Sequence, residues 1–91
     1  MTEPTFVPLE HIVASQLDGG EGVLVDLNTR QYYQLNESAM LIWRALEKGS
    51  PFSQIVDELK ATYAVSNERA IASTETLLKH LQDRKLVRPP A

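Results

Sequence analysis

The pattern of apolar residues changes once along this chain, at Asn36, and that change constrains the fold more than any other feature. Before Asn36, short runs rich in β-branched and aromatic residues are separated by turn residues, which is typical of antiparallel strands. After Asn36, apolar residues recur every three or four positions, which is typical of amphipathic helices. A β part followed by an α part predicts an α+β domain.

The β part contains three predicted strands, over residues 11–17, 23–27 and 31–35. Three glycines within residues 18–22 predict the first turn, because glycine adopts the backbone conformations that tight turns need. The second turn is Asn28-Thr29-Arg30. The third predicted strand is either central or an edge, and in a simple three-stranded meander it is an edge.

Two registers are open for the hairpin between the second and third predicted strands. A two-residue loop places Val25 opposite Tyr32, whereas a three-residue loop places Val25 opposite Tyr33. The three-residue loop is favoured because it gathers the apolar side chains on one face. That face would consist of Val23, Val25, Leu27, Tyr33 and Leu35, with Leu24, Asp26, Tyr32 and Gln34 on the other.

The α part contains three predicted helices, each with its own start signal. Asn36 is expected to cap the first helix, which runs to Gly49. Ser50 is expected to cap the second helix, with Pro51 at its first position, and Ser66 to cap the third. The sequence therefore predicts a three-stranded antiparallel sheet followed by three helices in a winged-helix-like arrangement. We expect one domain over residues 1–91, folded from about 9 to 87.

The residue inventory argues against an enzyme and against a bound metal or cofactor. There are no cysteines, which excludes disulfides and every thiolate site. The two histidines, His11 and His80, lie in different predicted elements, and neither has neighbours at metal-ligand spacing. No nucleophile is paired with a base in a known catalytic motif. We therefore expect no catalytic residue, no metal ligand and no cofactor.

Charge and hydropathy narrow the range of partners. The formal net charge is −3, whereas a nucleic-acid-binding domain normally carries a basic face. A winged-helix DNA-binding regulator is therefore the weaker alternative, and no nucleic-acid partner is expected. The N-terminus has no signal-peptide pattern, and no apolar run is long enough to span a bilayer. We expect a cytoplasmic protein without a membrane partner.

The third predicted strand and the third predicted helix together suggest a peptide-binding surface. Residues 31–35 carry no charge and no proline, which are the features that usually protect an edge strand from pairing. On the helix, Ala70, Ser73 and Leu77 flank the apolar stripe. A strand edge beside an apolar groove can capture an extended peptide by strand addition. Two alternatives stay open: either Leu77 and the tyrosines simply widen the core, or the opposite flank (Ala72, Glu75, Lys79) lines the groove.

The chain resembles the PqqD-like family over residues 9–87. The residues that carry the resemblance are Val23-Leu24-Val25-Asp26-Leu27-Asn28-Thr29, Tyr32-Tyr33-Gln34-Leu35-Asn36-Glu37 and Ile42-Trp43 with Leu46. Such domains are recognition elements of ribosomally made, post-translationally modified peptides (RiPPs). The resemblance implies a three-stranded sheet on three helices that binds the leader of a precursor peptide as an added strand. Family members often have glycine where this chain has Arg30 and Lys85, so we expect a positive φ angle at Arg30.

The resemblance and the residue pattern together define a candidate site and its partners. The predicted peptide-binding residues are Arg30, Gln31, Tyr32, Tyr33, Gln34, Ala70, Ser73, Thr74 and Leu77. The N-terminal segment is similar to leader-binding proteins of lasso-peptide clusters, which implies a precursor peptide, a separate leader peptidase and an ATP-dependent cyclase as partners. A peptide chaperone of another RiPP pathway, such as pyrroloquinoline quinone synthesis, is the alternative within the family.

Overall fold

The computed structural model describes residues 6–88, and its elements follow the predicted order. The strands are β1 (Val7–Pro8), β2 (Ile12–Gln16), β3 (Gly22–Asp26), β4 (Gln31–Leu35) and β5 (Val87–Arg88). The helices are α1 (Glu37–Glu47), α2 (Phe52–Tyr63) and α3 (Asn67–Asp83), with a short 3-10 helix over Asp18–Gly20. Strands β2, β3 and β4 form an antiparallel sheet in that order. The prediction of a three-stranded antiparallel sheet followed by three helices is confirmed.

A second, two-stranded sheet was not predicted from the sequence. Strand β1 pairs antiparallel with β5, so that Val7 lies opposite Arg88 and Pro8 opposite Val87. The pair connects the two ends of the described chain. Val7, Pro8 and Arg88 lie outside the predicted folded range of 9–87. The two strands could not be predicted, because strands of two residues have no periodic pattern.

Helices α1 and α3 begin with the capping residues that the sequence predicts, whereas α2 does not. The Asn36 side chain accepts a hydrogen bond from the Ala39 amide, and the Ser66 hydroxyl accepts one from the Arg69 amide. The N-cap of α2 is Pro51, so the prediction of Ser50 in that position is wrong. Ser50 instead lies in the segment that follows α1, where its amide donates to the carbonyl of Ala45 and the residue is buried.

The hairpin has the register predicted for the two-residue loop, and not the favoured register of the three-residue loop. Val25 lies opposite Tyr32 and Leu24 opposite Tyr33, so the predicted pairing of Val25 with Tyr33 is wrong. Neither loop length is right, because Asp26 pairs with Gln31 and four residues form the turn. The buried face of β3 consists of Gly22, Leu24 and Asp26, whereas Val23 and Val25 are only half-buried and Leu27 is exposed.

Two interactions, one within the turn and one between β3 and α1, explain this register. The Asp26 carboxylate accepts hydrogen bonds from the amides of Asn28 and Thr29, which closes the turn at the end of β3. At the other end of β3, a methyl group at Gly22 would overlap the sulfur of Met40 on α1. Gly22 must therefore face the helix, and the two-residue period of the strand then turns Leu24 and Asp26 inward as well. A count of apolar residues could not reveal either constraint.

The core lies between the inner face of the sheet and the three helices. Its largest fully buried side chains are Trp43, Leu24, Ile42, Ile55, Leu86 and Thr74. Helix α3 packs against α2, and its buried residues form the stripe Ala70, Thr74, Leu78 and Leu81. Because that stripe faces the core, the adjacent face of α3 remains open beside β4. Within the described part of the chain, no helix is long and apolar enough to cross a membrane.

Candidate functional site

Strand β4 is an edge of the three-stranded sheet. It pairs with β3 on one side, and no described strand pairs with its other side. Its five residues carry no charged side chain and no proline, so nothing in its sequence blocks a further strand. The expectation that the third predicted strand is an edge is confirmed. An edge of this kind presents a row of main-chain N–H and C=O groups that can pair with another chain.

A cleft runs along α3 and consists of three adjoining cavities. The first, of about 320 Å³, lies between β4 and α3, and we call it the β4-side cavity. The second, of about 370 Å³, lies between the start of α1 and the middle of α3, and we call it the middle cavity. The third, also of about 370 Å³, lies near the start of α3, and we call it the N-terminal cavity. Leu77 and His80 line the first two, and Ser73 lines the last two.

The β4-side cavity has an apolar lining with a polar rim. Tyr33 and Leu35 contribute to it from the strand, and Leu77, Leu81 and Leu86 contribute from α3 and the segment that follows it. Leu81 and Leu86 are buried core residues, so this part of the lining is held rigidly. His80 and Arg84, both exposed, add the polar groups. The arrangement offers apolar contact to alternate side chains of an extended peptide that lies beside β4.

Aromatic and charged groups of the cleft are positioned by specific contacts. The Tyr33 hydroxyl donates a hydrogen bond of 2.6 Å to the Gln31 side chain. The guanidinium carbon of Arg84 lies 5.5 Å from the centroid of the Tyr33 ring, which is a cation–π distance. In the N-terminal cavity, burial and then the charge of Glu37 raise the pKa of the Tyr63 hydroxyl above its ordinary value of 10.0. Tyr63 is therefore a neutral hydrogen-bonding group in the physiological pH range.

The predicted residues of the strand have different surroundings. Tyr32, Tyr33 and Gln34 line the β4-side cavity. The Tyr33 side chain is half-buried, whereas Tyr32 is 74% exposed and belongs to the opposite face of the sheet. Arg30 lies in the turn before β4, with a φ angle of 61° that confirms the expected positive value. The predicted use of the backbone groups of residues 30–34 by a peptide stays a prediction.

On α3, the structure separates the predicted residues into two groups. Ser73 is exposed and Leu77 half-buried, and both line the cleft. Ala70 touches the N-terminal cavity but is only 1% exposed. Thr74 has no exposed surface, and its hydroxyl donates a hydrogen bond of 2.8 Å to the Ala70 carbonyl. Thr74 therefore lies behind the cleft wall, whereas Ala70 borders the N-terminal cavity with very little exposed surface.

Sequence reasoning missed His80 and Arg84 as residues of the cleft. Both follow Ser73 and Leu77 at spacings of three or four residues, which places them on the same face of the helix. The other flank of α3 faces elsewhere: Glu75 and Lys79 line a separate depression with Phe6 and Phe52. Ala72 is the one residue of that flank that reaches the middle cavity. Among the described residues, no group of three side chains could hold a metal ion.

These features define a class of protein: a small α+β domain whose sheet has an unpaired edge strand beside an apolar cleft on a helix. The chain belongs to the PqqD family, because the family model for Coenzyme PQQ synthesis protein D (PqqD) matches residues 21–87. No curated protein sequence gives a significant match.

Two solved structures are similar to this chain over nearly its whole length. One is TbiB1 in complex with the TbiA(beta) leader peptide, with 28% identity and a TM-score of 0.85 over 93% of this chain and 98% of that one. The other is lasso peptide synthetase B1 complexed with the leader peptide, with 28% identity and a TM-score of 0.83 over 92% of this chain and 98% of that one.

Proposed function

We propose that the chain binds the leader segment of a ribosomally made precursor peptide by adding it as a fourth strand beside β4. The observation that carries this proposal is the unpaired edge of β4 beside an apolar cleft on α3. In strand addition, main-chain hydrogen bonds supply affinity, and pockets for alternate side chains supply selectivity. Membership of the PqqD family and similarity to two solved leader-peptide complexes support a leader peptide as the occupant.

The leader runs antiparallel to β4 and pairs with the backbone groups of residues 30–34. Its inward side chains pack toward Tyr33 and Leu77, and the small Ser73 leaves room for the backbone to approach α3. Thr74 supports this wall from behind, because it is buried, and the small Ala70 borders the N-terminal cavity. The whole chain acts as one peptide-recognition domain in the cytoplasm, where precursor peptides leave the ribosome.

The protein has no catalytic role in this proposal and presents the leader to a separate leader peptidase. An ATP-dependent cyclase is a further partner, as in a lasso-peptide pathway. Holding the precursor next to the peptidase makes their encounter effectively intramolecular, which raises the local substrate concentration. The similarity to a lasso peptide synthetase B1 supports this pathway.

Strand addition predicts a pattern that other binding modes do not produce. A fluorescently labelled leader peptide is titrated with the protein, and anisotropy gives the Kd. N-methylation of the peptide is then moved along the backbone one residue at a time. Because only alternate residues point their N–H groups toward β4, affinity should fall at every second position. Uniform tolerance of N-methylation would refute the proposed mode.

The presenting role is tested by cleavage of the precursor. Intact precursor should be cleaved slowly by the peptidase alone and rapidly when this protein is added. A precursor without its leader should not respond to the protein, which provides the control. Rapid cleavage by the peptidase alone, or turnover by this protein alone, would contradict the proposal.

A peptide chaperone in pyrroloquinoline quinone synthesis is the second candidate, because the matching family model carries that description. Parallel titrations with leader peptides of both pathways distinguish the two, since the cognate leader should bind more tightly. Nothing in the fold or the comparisons favours a DNA-binding regulator. The net charge of −3 is unfavourable for binding to the negatively charged phosphates of DNA.

A further inference from the structure

The two arginines of the cleft stand at its opposite ends without a carboxylate partner. Arg84 lines the β4-side cavity, and Arg69 lines the N-terminal cavity. Within residues 6–88, neither guanidinium takes part in an ion pair. Among the described residues that line the three cavities, Glu37 is the only acidic one. The cleft is therefore locally cationic on a chain whose net charge is −3.

Arg84 is placed where it can bind a carboxylate on a peptide beside β4. Its guanidinium lies over the Tyr33 ring, and the ring contact restricts the orientation of the group. A cation–π contact does not use the N–H groups of the guanidinium as hydrogen-bond donors to another side chain, so two of them can donate to a carboxylate. Because Leu77 and Leu81 line the same cavity, the carboxylate would bind at the border of an apolar surface.

We infer that the cleft selects extended peptides with an Asp or Glu at the position that reaches Arg84. This inference rests on the proposed function and names a feature of the peptide that the function requires. An antiparallel strand begins near Asn36 and ends near the start of β4, so its C-terminal part lies beside Arg84. In the sequence of the bound peptide, the acidic residue therefore comes after the apolar residues that occupy the cleft.

Selection from a random peptide library displayed on phage tests the inference without knowledge of the natural precursor. Peptides are selected on the immobilised wild-type chain, and the enriched sequences are aligned. We expect alternating apolar residues followed by one position enriched in Asp or Glu. The strongest binder is then synthesised in two forms, one with the acid and one with the corresponding amide.

Two variants show whether Arg84 is responsible. Arg84→Gln removes the arginine of the β4-side cavity, and Lys79→Gln removes one charge from the other flank of α3. Wild type and Lys79→Gln should bind the acidic peptide about tenfold more tightly than the amide, as for a hydrogen bond between charged groups. Arg84→Gln should bind both forms equally. Added salt should reduce the preference of the wild type.

The outcomes distinguish failure of the inference from failure of the proposed function. If no peptide is enriched on the wild type, the proposed function and this inference both fail. If peptides are enriched but carry no preferred acidic position, the inference fails while peptide binding stands. The same holds if Arg84→Gln keeps the full preference for the acid. Loss of the preference in Arg84→Gln but not in Lys79→Gln supports the inference.

Discussion

Replacement of Leu77 by glutamate tests the cleft most directly. Leu77 lines both the β4-side and the middle cavities, and its half-buried side chain packs against the core. A leader strand would cover its exposed part, so losing that contact costs about 1 kcal/mol, a fraction of the 1.5–3 kcal/mol for a fully buried leucine. Covering an unpaired carboxylate adds about 1–3 kcal/mol. The sum of about 3 kcal/mol corresponds to a loss of affinity of about 150-fold.

Folding should be affected much less than binding. Glutamate is a good helix former, and at a half-buried position its carboxylate can reach solvent. The lost packing costs about 1 kcal/mol, which lowers the Tm of a domain of this size by about 4–8 °C. Differential scanning fluorimetry measures the Tm, and anisotropy titration with a labelled leader measures the Kd.

A matched control distinguishes the effect of placing a carboxylate in the cleft from the effect of adding a negative charge to α3. Gln82→Glu adds one carboxylate to the other flank of α3, outside the cleft, and should leave the Kd unchanged. The milder Leu77→Ala variant loses only the contact of about 1 kcal/mol and should bind about fivefold more weakly, without any added charge. If both Leu77 variants fold and their Kd values are within twofold of the wild-type value, the leader does not lie in this cleft. A twofold change corresponds to about 0.4 kcal/mol.

Three further predictions concern folding. Ala70→Arg should destabilise the domain by about 3 kcal/mol or more, because Ala70 is buried against α2; a melting curve like that of the wild type would contradict this placement. Arg30→Gly should raise the free energy of unfolding by about 0.5–1 kcal/mol in chemical denaturation, because glycine adopts the φ angle of 61° without strain. The pKa of Asp26 responds to opposing effects: burial raises it, but hydrogen bonds from the Thr29 and Asn28 amides and the nearby His11 bring it below the ordinary 3.8. A lowered pKa contributes stability above the unfolded value that is lost as pH falls through the folded value, so acid unfolding below about pH 4 should be shallower for Asp26→Asn than for the wild type.

Features that depend on a few neighbouring residues could be predicted from the sequence. The caps Asn36 and Ser66 satisfy amides three residues ahead, so the side chain and its partner are both visible in the local sequence. The positive φ angle at Arg30 could be expected because family members often have glycine at that position, although the predicted length of the turn is wrong. The edge position of β4 follows from the order of three short strands, and its uncharged composition is visible directly.

Features that depend on packing between distant elements could not be predicted. The hairpin register is set by Met40 of α1 against Gly22 as well as by the Asp26 turn, and only the folded chain brings the first pair together. The role of each α3 residue depends on the rotation of the helix about its axis. Because α2 fixes that rotation, Thr74 is turned into the core and Arg84 is placed over Tyr33 at the cleft. Helical spacing shows which residues share a face, but only the tertiary contacts determine where that face points.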